Sequence, residues 1–308
     1  MMKQRNYLFF VGEVPEHGYR IIETAAPDGS DKKFLAEERY LLGAKMGKQR
    51  RYDPLRDHPD LFLEFANLSP SHEEQILEFT NRYGFLQQAS PIGIEPSTKN
   101  TLLWGEPLSL WASEITTMKQ AIELWGMVKQ KKKEKLAKVI RWHGPSVRYQ
   151  AVPLTVEKEA ALLRGKWDMK ADGIPQWIVL PQHDPWAFGE VPEIKPGDVI
   201  GPAWMYLQSV FQKYFSVVSA RLLWERVDEN KPGMRLGVYF TPDNLLGALW
   251  LQFAQNVAGN REFQRCQYCT RPFIARPNKI NCSDSCKSMM SRQHNKKKLS
   301  AKRKLKTR

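Results

Sequence analysis

The four cysteines of this chain all lie within 21 of its 308 residues, and no other feature constrains the fold as strongly. In chain order they are Cys266, Cys269, Cys282 and Cys286, with the spacing C-x2-C-x12-C-x3-C. A tight turn can direct the sulfurs of the first pair to one side, and the spacing of the second pair places both side chains on one helix face. Ser283, Asp284 and Ser285 favour a helix N-terminus at that second pair. The pattern therefore predicts one metal ion held by four thiolates, in a hairpin through residues 272–274 that is followed by a helix.

Zinc is the metal that this ligand set favours, because four thiolates form a closed, structural site with no open position for catalysis. Three other interpretations stay open. A redox dithiol would use Cys266 and Cys269 alone and leave the second pair without a role. An iron–sulfur cluster would use all four, but the spacing differs from the ferredoxin patterns. Disulfides are typical of secreted proteins, which distribute their cysteines through the chain.

The positive charge of the chain is concentrated behind the last cysteine. The formal net charge is +14, and residues 287–308 contain ten Lys or Arg and no acidic residue, so the first 286 residues carry only +4. A basic helix and tail behind a rigid zinc module are typical of proteins that contact the nucleic-acid backbone. Two alternatives remain: a solvated tail that only aids solubility, and attraction to an acidic membrane surface. The tail lacks the aromatic face that membrane insertion requires.

Two groups of basic residues are therefore predicted to contact nucleic acid. The residues nearest the metal, which a rigid element could direct at base edges, are Arg271, Lys279 and Arg292. The residues predicted to contact phosphates are Lys287, Lys296, Lys297, Lys298, Arg303 and Lys304.

The composition of the remaining chain predicts a folded body. Apolar residues make up 42% of the chain, with ten Trp and fourteen Phe, which excludes global disorder. The apolar run over residues 7–11 is too short for a signal peptide, and no run reaches the length of a membrane span. We therefore expect a protein of the reducing cytoplasm with no membrane partner. The predicted division is a body (1–260), a four-cysteine zinc module (261–295) and a basic disordered tail (296–308).

Hydrophobic periodicity indicates an α+β fold with a mainly helical body. The predicted helices cover residues 34–42, 61–67, 70–84, 108–141, 203–215 and 241–259. The segment 108–141 is either two helices joined by an exposed basic turn at residues 129–135 or one helix with a polar collar there. The predicted strands cover residues 7–11, 217–224 and 235–240, with a turn at 231–233, while residues 147–201 are expected to form loops and short strands. A capping box over residues 71–74 is expected to start the third helix, and tryptophans at helical spacing are expected in the core.

The cysteine module resembles the C-terminal zinc finger of bacterial CGNR-type proteins. The similarity lies in the run Cys266-x-x-Cys269, Pro272-Phe273 and Cys282-Ser283-x-x-Cys286, the basic helix after it, and the body segments 61–66, 79–84 and 246–250. The tetrapeptide that names the family is absent, since Lys287 follows the last cysteine. The resemblance implies a mostly helical N-terminal domain and a treble-clef-like zinc finger with the four cysteines as ligands. It also implies a DNA-binding, stress-induced transcription regulator.

No catalytic residue is predicted. The sequence contains no phosphate-binding glycine loop, nucleophile elbow or zinc-protease helix, and its six histidines are scattered. The expected function is a zinc-dependent nucleic-acid-binding protein, with DNA favoured over RNA, that regulates transcription. One alternative is an enzyme or ligand-sensing domain in residues 1–260, with the zinc module as an anchor. Another is a zinc module that mediates protein contacts only.

Overall fold

The computed structural model describes residues 7–8, 12–16, 18–24, 38–43, 49–87, 90–94, 102–144, 146–150, 176–178, 194–228, 231–269, 271–274 and 279–293. These residues form a mixture of helices and small sheets, which confirms the α+β class. Within this part of the chain, no helix is long and apolar enough to cross a membrane.

The helices are α1 (Pro54–Asp57), α2 (Leu61–Ala66), α3 (Glu73–Tyr83), α4 (Leu108–Lys129), α5 (Lys133–Val139), α6 (Ile200–Phe215), α7 (Leu245–Ala258) and α8 (residues 284–293). The first seven strands are β1 (Tyr7–Leu8), β2 (Gly12–Pro15), β3 (Tyr19–Thr24), β4 (Glu38–Gly43), β5 (Gln49–Tyr52), β6 (Ser90–Ile94) and β7 (Leu102–Pro107). The others are β8 (Ile140–His143), β9 (Ser146–Tyr149), β10 (Gln176–Ile178), β11 (Val218–Asp228), β12 (Lys231–Pro242), β13 (Phe263–Arg265) and β14 (Pro272–Ile274).

The strands form five separate small sheets among the described residues. Their orders are β3-β4-β7-β6, β1-β12-β11, β10-β9-β8, β2-β5 and β13-β14. Strand β1 pairs with β12 in parallel, and the other pairs are antiparallel. The longest hairpin, β11–β12, runs from the pair Val218–Pro242 to the pair Asp228–Lys231.

The periodicity located most of the helices correctly. Helices α2, α6 and α7 lie where apolar stripes predicted them, and a basic turn separates α4 from α5 as expected. The helix predicted over residues 34–42 is wrong where the structure describes it, because residues 38–43 form β4, which pairs with β3 and β7. Strand pairing across the sheet there overrides the local pattern. Residues 34–37 and 9–11 lie outside the described chain.

The predicted capping box does not form. Helix α3 starts at Glu73, and the side chain of its N-cap residue His72 accepts no helix N–H. The Ser69 hydroxyl lies 3.2 Å from the Ser71 hydroxyl and 2.9 Å from His72 Nδ1, so these serines bond to neighbouring side chains instead. The predicted C-terminal end of this helix is confirmed, since Gly84 is the C-cap with φ of 86°.

Two segments near the end of the body, one predicted as a turn and one as the start of a helix, belong to strand β12. The predicted turn at residues 231–233 is the first part of β12, and residues 241–242 are its last part. Pairing with β11 therefore extends in both directions beyond the predicted strand. Helix α7 begins later than predicted, and its cap is Asn244, whose Oδ1 accepts the Gly247 N–H at 2.8 Å.

Aromatic side chains on α4, α6 and α7 form the centre of the core. Trp111, Trp125 and Trp250 are at most 1% exposed, as expected for tryptophans at helical spacing. Tyr214 stacks on Trp250 with ring centroids 4.3 Å apart. Trp204 contradicts the expectation, because it is 43% exposed, although its ring meets that of Trp125 edge-on with centroids 5.1 Å apart.

A buried carboxylate joins three segments of the body. Glu106, on β7, is 2% exposed and accepts hydrogen bonds from the Leu86 N–H at 2.9 Å and from Trp111 Nε1 at 2.8 Å. It also accepts the backbone N–H of Gln87. This carboxylate therefore connects the segment after α3, strand β7 and the first turn of α4.

Helices α4 and α7 end in the same way. In each, the residue after the C-cap is left-handed: Lys131 has φ of 50° and Asn260 has φ of 55°. After α4, the N–H groups of Lys131 and Lys132 donate to the carbonyls of Val128 and Met127. After α7, the N–H groups of Asn260 and Arg261 donate to the carbonyls of Val257 and Asn256. Both ends are Schellman motifs, in which glycine is the usual left-handed residue.

Candidate metal centre

The four cysteine sulfurs meet in one cluster. All four lie within 4.8 Å of one another, and none of the four cysteines forms a disulfide. The Cys282 sulfur lies 3.5 Å from the sulfur of Cys269 and 3.5 Å from that of Cys286. Zinc–sulfur bonds of about 2.3 Å in a tetrahedron would place the sulfurs about 3.8 Å apart. The donor set and its dimensions therefore fit a tetrahedral metal ion.

A short hairpin positions the first pair of cysteines. Strands β13 and β14 pair in antiparallel fashion, and the Cys266 N–H donates to the Arg271 carbonyl at 2.9 Å, across the turn that contains Cys269. The next residue, Gln267, donates its N–H to the Ile280 carbonyl at 3.1 Å. That bond brings the second pair alongside the first.

The start of α8 positions the second pair, as the serines and aspartate predicted. Ser283 is the N-cap, because its Oγ accepts the N–H of Cys286 at 3.2 Å and its carbonyl accepts the N–H of Lys287 at 3.1 Å. Cys286 lies in the first helical turn, and Cys282 lies immediately before the cap. Helix capping therefore places these two sulfurs beside each other.

Cys266 is 1% exposed and is surrounded by hydrogen-bond donors. Burial alone would raise the pKa of its thiol, but hydrogen bonds to the sulfur stabilise the thiolate and lower that pKa to about 5. The donors are the backbone N–H groups of Cys269, Cys282 and Tyr268 and the amide of Asn281, which lies 3.6 Å from the sulfur. One sulfur of the cluster is therefore ready to bind a cation as a thiolate.

The pKa of Cys282 is shifted in the opposite direction, to about 12. Burial is the largest cause, and hydrogen bonds with the neighbouring thiols add to it. Deprotonation of Cys282 is thus favoured by a positive charge among the sulfurs, since a thiol that coordinates a metal loses its proton. A divalent cation would supply that charge.

Asn281 is a member of this site that the sequence reasoning missed. Its side chain is buried, at 4% exposed, and lies 3.6 Å from the Met290 sulfur as well as from Cys266. It therefore links the first cysteine to helix α8. Its position immediately before Cys282 carries no local signal that distinguishes it from a loop asparagine.

The strand that leads into the cysteines packs into the core of the body. The Phe263 ring is 5.8 Å from that of Phe62 and 6.1 Å from that of Phe253, centroid to centroid. Trp125 Nε1 donates to the Arg261 carbonyl at 3.0 Å, and Arg265 pairs with Glu123 of α4. The predicted division between residues 260 and 261 stays a prediction.

Helix α8 presents two of the predicted nucleic-acid contacts. Lys287 and Arg292 are exposed, and the helical period places the exposed Ser288 and Ser291 between them. These four residues form one polar, positively charged strip on the side of α8 away from Cys286 and Met290. We refer to Lys287, Ser288, Ser291 and Arg292 as the α8 strip.

The other predicted contacts lie elsewhere. Lys279 is half-buried, and its carbonyl accepts a hydrogen bond from the Gln264 side chain. The remaining predicted phosphate contacts lie outside the described residues: Lys296, Lys297, Lys298, Arg303 and Lys304.

Arg271 lies in different surroundings from the α8 strip. It is exposed and lines an open groove of about 470 Å³ between the cysteine module and helices α2 and α3. Glu64, Glu78 and Arg82 line the same groove, and Arg82 pairs with both carboxylates. Because two carboxylates face it, this groove attracts phosphate less than the α8 strip does.

Comparison of the chain with models of protein families, with curated proteins and with solved structures finds no match.

Proposed function

We propose that Cys266, Cys269, Cys282 and Cys286 hold one structural zinc ion, and that the module built around it binds nucleic acid. The proposed module is treble-clef-like, and the hairpin and the capped helix α8 that carry the cysteines support this proposal. The expected partner is DNA rather than RNA, and the expected role is cytoplasmic regulation of transcription. No catalytic activity is assigned to the body.

The observation that carries this proposal is the position of α8. Its first turn contributes a sulfur to the cluster, and its opposite side presents the α8 strip to solvent. A metal ion would fix this helix, so its two cations would be held in place before any partner arrives. A fixed helix with exposed cations can bind phosphates without the entropic cost of ordering a loop. The residues after α8 add eight of the ten positive charges that follow Cys286.

The arrangement of the sulfurs fits a metal ion, for which we propose zinc, better than it fits a redox dithiol or a disulfide. An active redox dithiol needs one pair, whereas all four sulfurs converge here. A disulfide would require sulfurs about 2 Å apart, and the cysteines are free.

A salt titration of DNA binding tests the proposal. If six of the ten basic side chains after Cys286 contact phosphates, log affinity for duplex DNA should fall against log salt with a slope of about −5. Replacing Lys296, Lys297 and Lys298 with Gln should reduce that slope by about 2 to 3. The loss should be equal for all sequences, because phosphate contacts carry little sequence information. Filter binding or fluorescence anisotropy at several salt concentrations measures the slope.

A truncated chain that ends after Gln293 separates the contribution of the α8 strip to DNA binding from that of the tail. This truncation keeps Lys287 and Arg292 and removes eight positive charges. The truncated chain should bind DNA weakly, and its log affinity should fall only slightly against log salt. In the full chain, Arg292→Gln should reduce the preference for particular DNA sequences more than Arg271→Gln does. If the truncated chain binds DNA as tightly as the full chain at moderate salt, the tail is only a solubility device. DNA binding would then rest on the α8 strip or on the body.

A further inference from the structure

The charge of the body is not evenly distributed. Residues 129–138, which we call the basic turn, contain six Lys and one Glu and so carry +5. Residues 1–286 together carry +4, so the rest of that segment has a net charge of −1. Lys131, Lys132, Lys133, Lys135 and Lys138 are exposed. The basic turn is thus a strong positive centre in a body that is otherwise nearly neutral.

The conformation of Lys131 is costly for a lysine. It occupies the left-handed position of the Schellman motif after α4, with φ of 50°. A side chain with a Cβ is disfavoured there, and glycine would form the same turn without that cost. The chain therefore has a lysine at a position where glycine would give a more stable turn. Strained positions of this kind often have a function that stability alone does not explain.

The basic turn is fixed to the entrance of the cysteine module. Lys129 Nζ lies 2.5 Å from Asn260 Oδ1, and Asn260 is the left-handed residue that ends α7. One helical turn earlier, Trp125 donates to the Arg261 carbonyl. These two hydrogen bonds therefore connect the start of the basic turn to residues 260–261, which lead into the cysteine module.

We propose that the basic turn is a second phosphate-binding surface, which contacts the same DNA as the cysteine module; this inference rests on the function proposed above. Phosphates are the partner that its chemistry fits, because the turn offers exposed ammonium groups. Leu136 in the turn and Val139 immediately after it are buried, at 0% and 8% exposed, so the turn presents no large apolar face that could enter a membrane. Each ammonium that meets a duplex phosphate releases about one counterion.

Two variants of the full, metal-loaded chain test this surface, with a 20-base-pair DNA duplex as the probe. The duplex is about 68 Å long, which exceeds the expected diameter of the protein, so it can reach both surfaces. The first replaces Lys131, Lys132, Lys133 and Lys135 with Gln, and should reduce the slope of log affinity against log salt by about 2 to 3. The second is Lys131→Gly, which should reduce the slope by about 1 while raising the melting temperature by about 2 °C. Lys119→Gln is the matched control, since Lys119 is exposed on α4 outside the turn.

The Lys131→Gly variant separates binding from folding. A lysine with only a structural role would give a more stable protein with unchanged affinity, whereas we expect a more stable protein that binds DNA less tightly. If both variants keep the wild-type slope of log affinity against log salt, and the wild type binds DNA, the second surface is overturned. The function proposed above is not affected by that result. Absence of DNA binding by the wild type overturns both proposals. The second surface is also overturned if the turn lysines are required for binding phosphatidylserine vesicles but not DNA.

Discussion

Removal of the metal should unfold the cysteine module. Apparent zinc-binding free energies of structural sites are about 10–16 kcal/mol, and in small modules much of this is folding free energy. We expect a chelator, or Cys282→Ser, to expose residues 266–293 to hydrogen exchange while α4 and α7 stay protected. Hydrogen-exchange mass spectrometry measures this, together with metal analysis, which should find one zinc per chain.

The matched control is Ser285→Ala, which lies between the same two cysteines, is exposed and donates no ligand. It should keep both the zinc and the protection of the module. Purified protein without zinc, or a Cys282→Ser chain with a protected module, would show that the cluster has another role. Unfolding of the body together with the module would contradict the separate stability that we expect.

Replacement of Glu106 should have the largest effect on the body. Glu106→Leu would remove the acceptor for two buried donors, Leu86 N–H and Trp111 Nε1, and for the Gln87 N–H. Each buried donor left without an acceptor costs about 1–3 kcal/mol, so we expect a loss of about 4 kcal/mol in the free energy of unfolding. Urea denaturation measures it. A loss below about 1 kcal/mol would mean that water replaces the carboxylate.

The same carboxylate should make stability depend on pH. Burial raises the pKa of Glu106 from 4.5 to about 7, although its three hydrogen bonds oppose the shift. The folded chain therefore holds this proton more tightly than the unfolded chain does. The stabilisation is complete below about pH 4.5 and is lost as the pH rises to about 7, a difference of about 3 kcal/mol. Glu106→Gln should flatten the unfolding free energy between these pH values, and a profile as steep as that of the wild type would contradict the assignment.

Local patterns in the sequence predicted the features that depend on local structure. The spacing of the cysteines, the N-cap at Ser283 and the stripes of α4 and α7 needed only neighbours within one or two helical turns. The same reasoning failed where partners are distant. Residues 38–43 have a helix-like pattern but pair with strand β7, more than 60 residues away.

Buried polar contacts were the least predictable part of the site and the core. Glu106 is an ordinary surface residue by its type, and only the folded chain brings Leu86 and Trp111 to its oxygens. Gln252 in the same way accepts the N–H of Phe62, which is 190 residues distant in the chain. Such contacts leave no period in the sequence, because each satisfies donors that only the fold brings next to the acceptor.

The position of Phe263 has a consequence for how this protein would search for a partner. A zinc finger on a flexible linker samples many orientations and loses that freedom when it binds. Here the aromatic ring at the base of the hairpin packs against both Phe62 and Phe253, which stack on each other, so the position of the hairpin is set when the core packs. The entropy of orienting the hairpin is therefore lost once, during folding. A substitution that shifts this ring, such as Phe263→Leu, would move the hairpin without altering any residue that is proposed to bind metal or DNA.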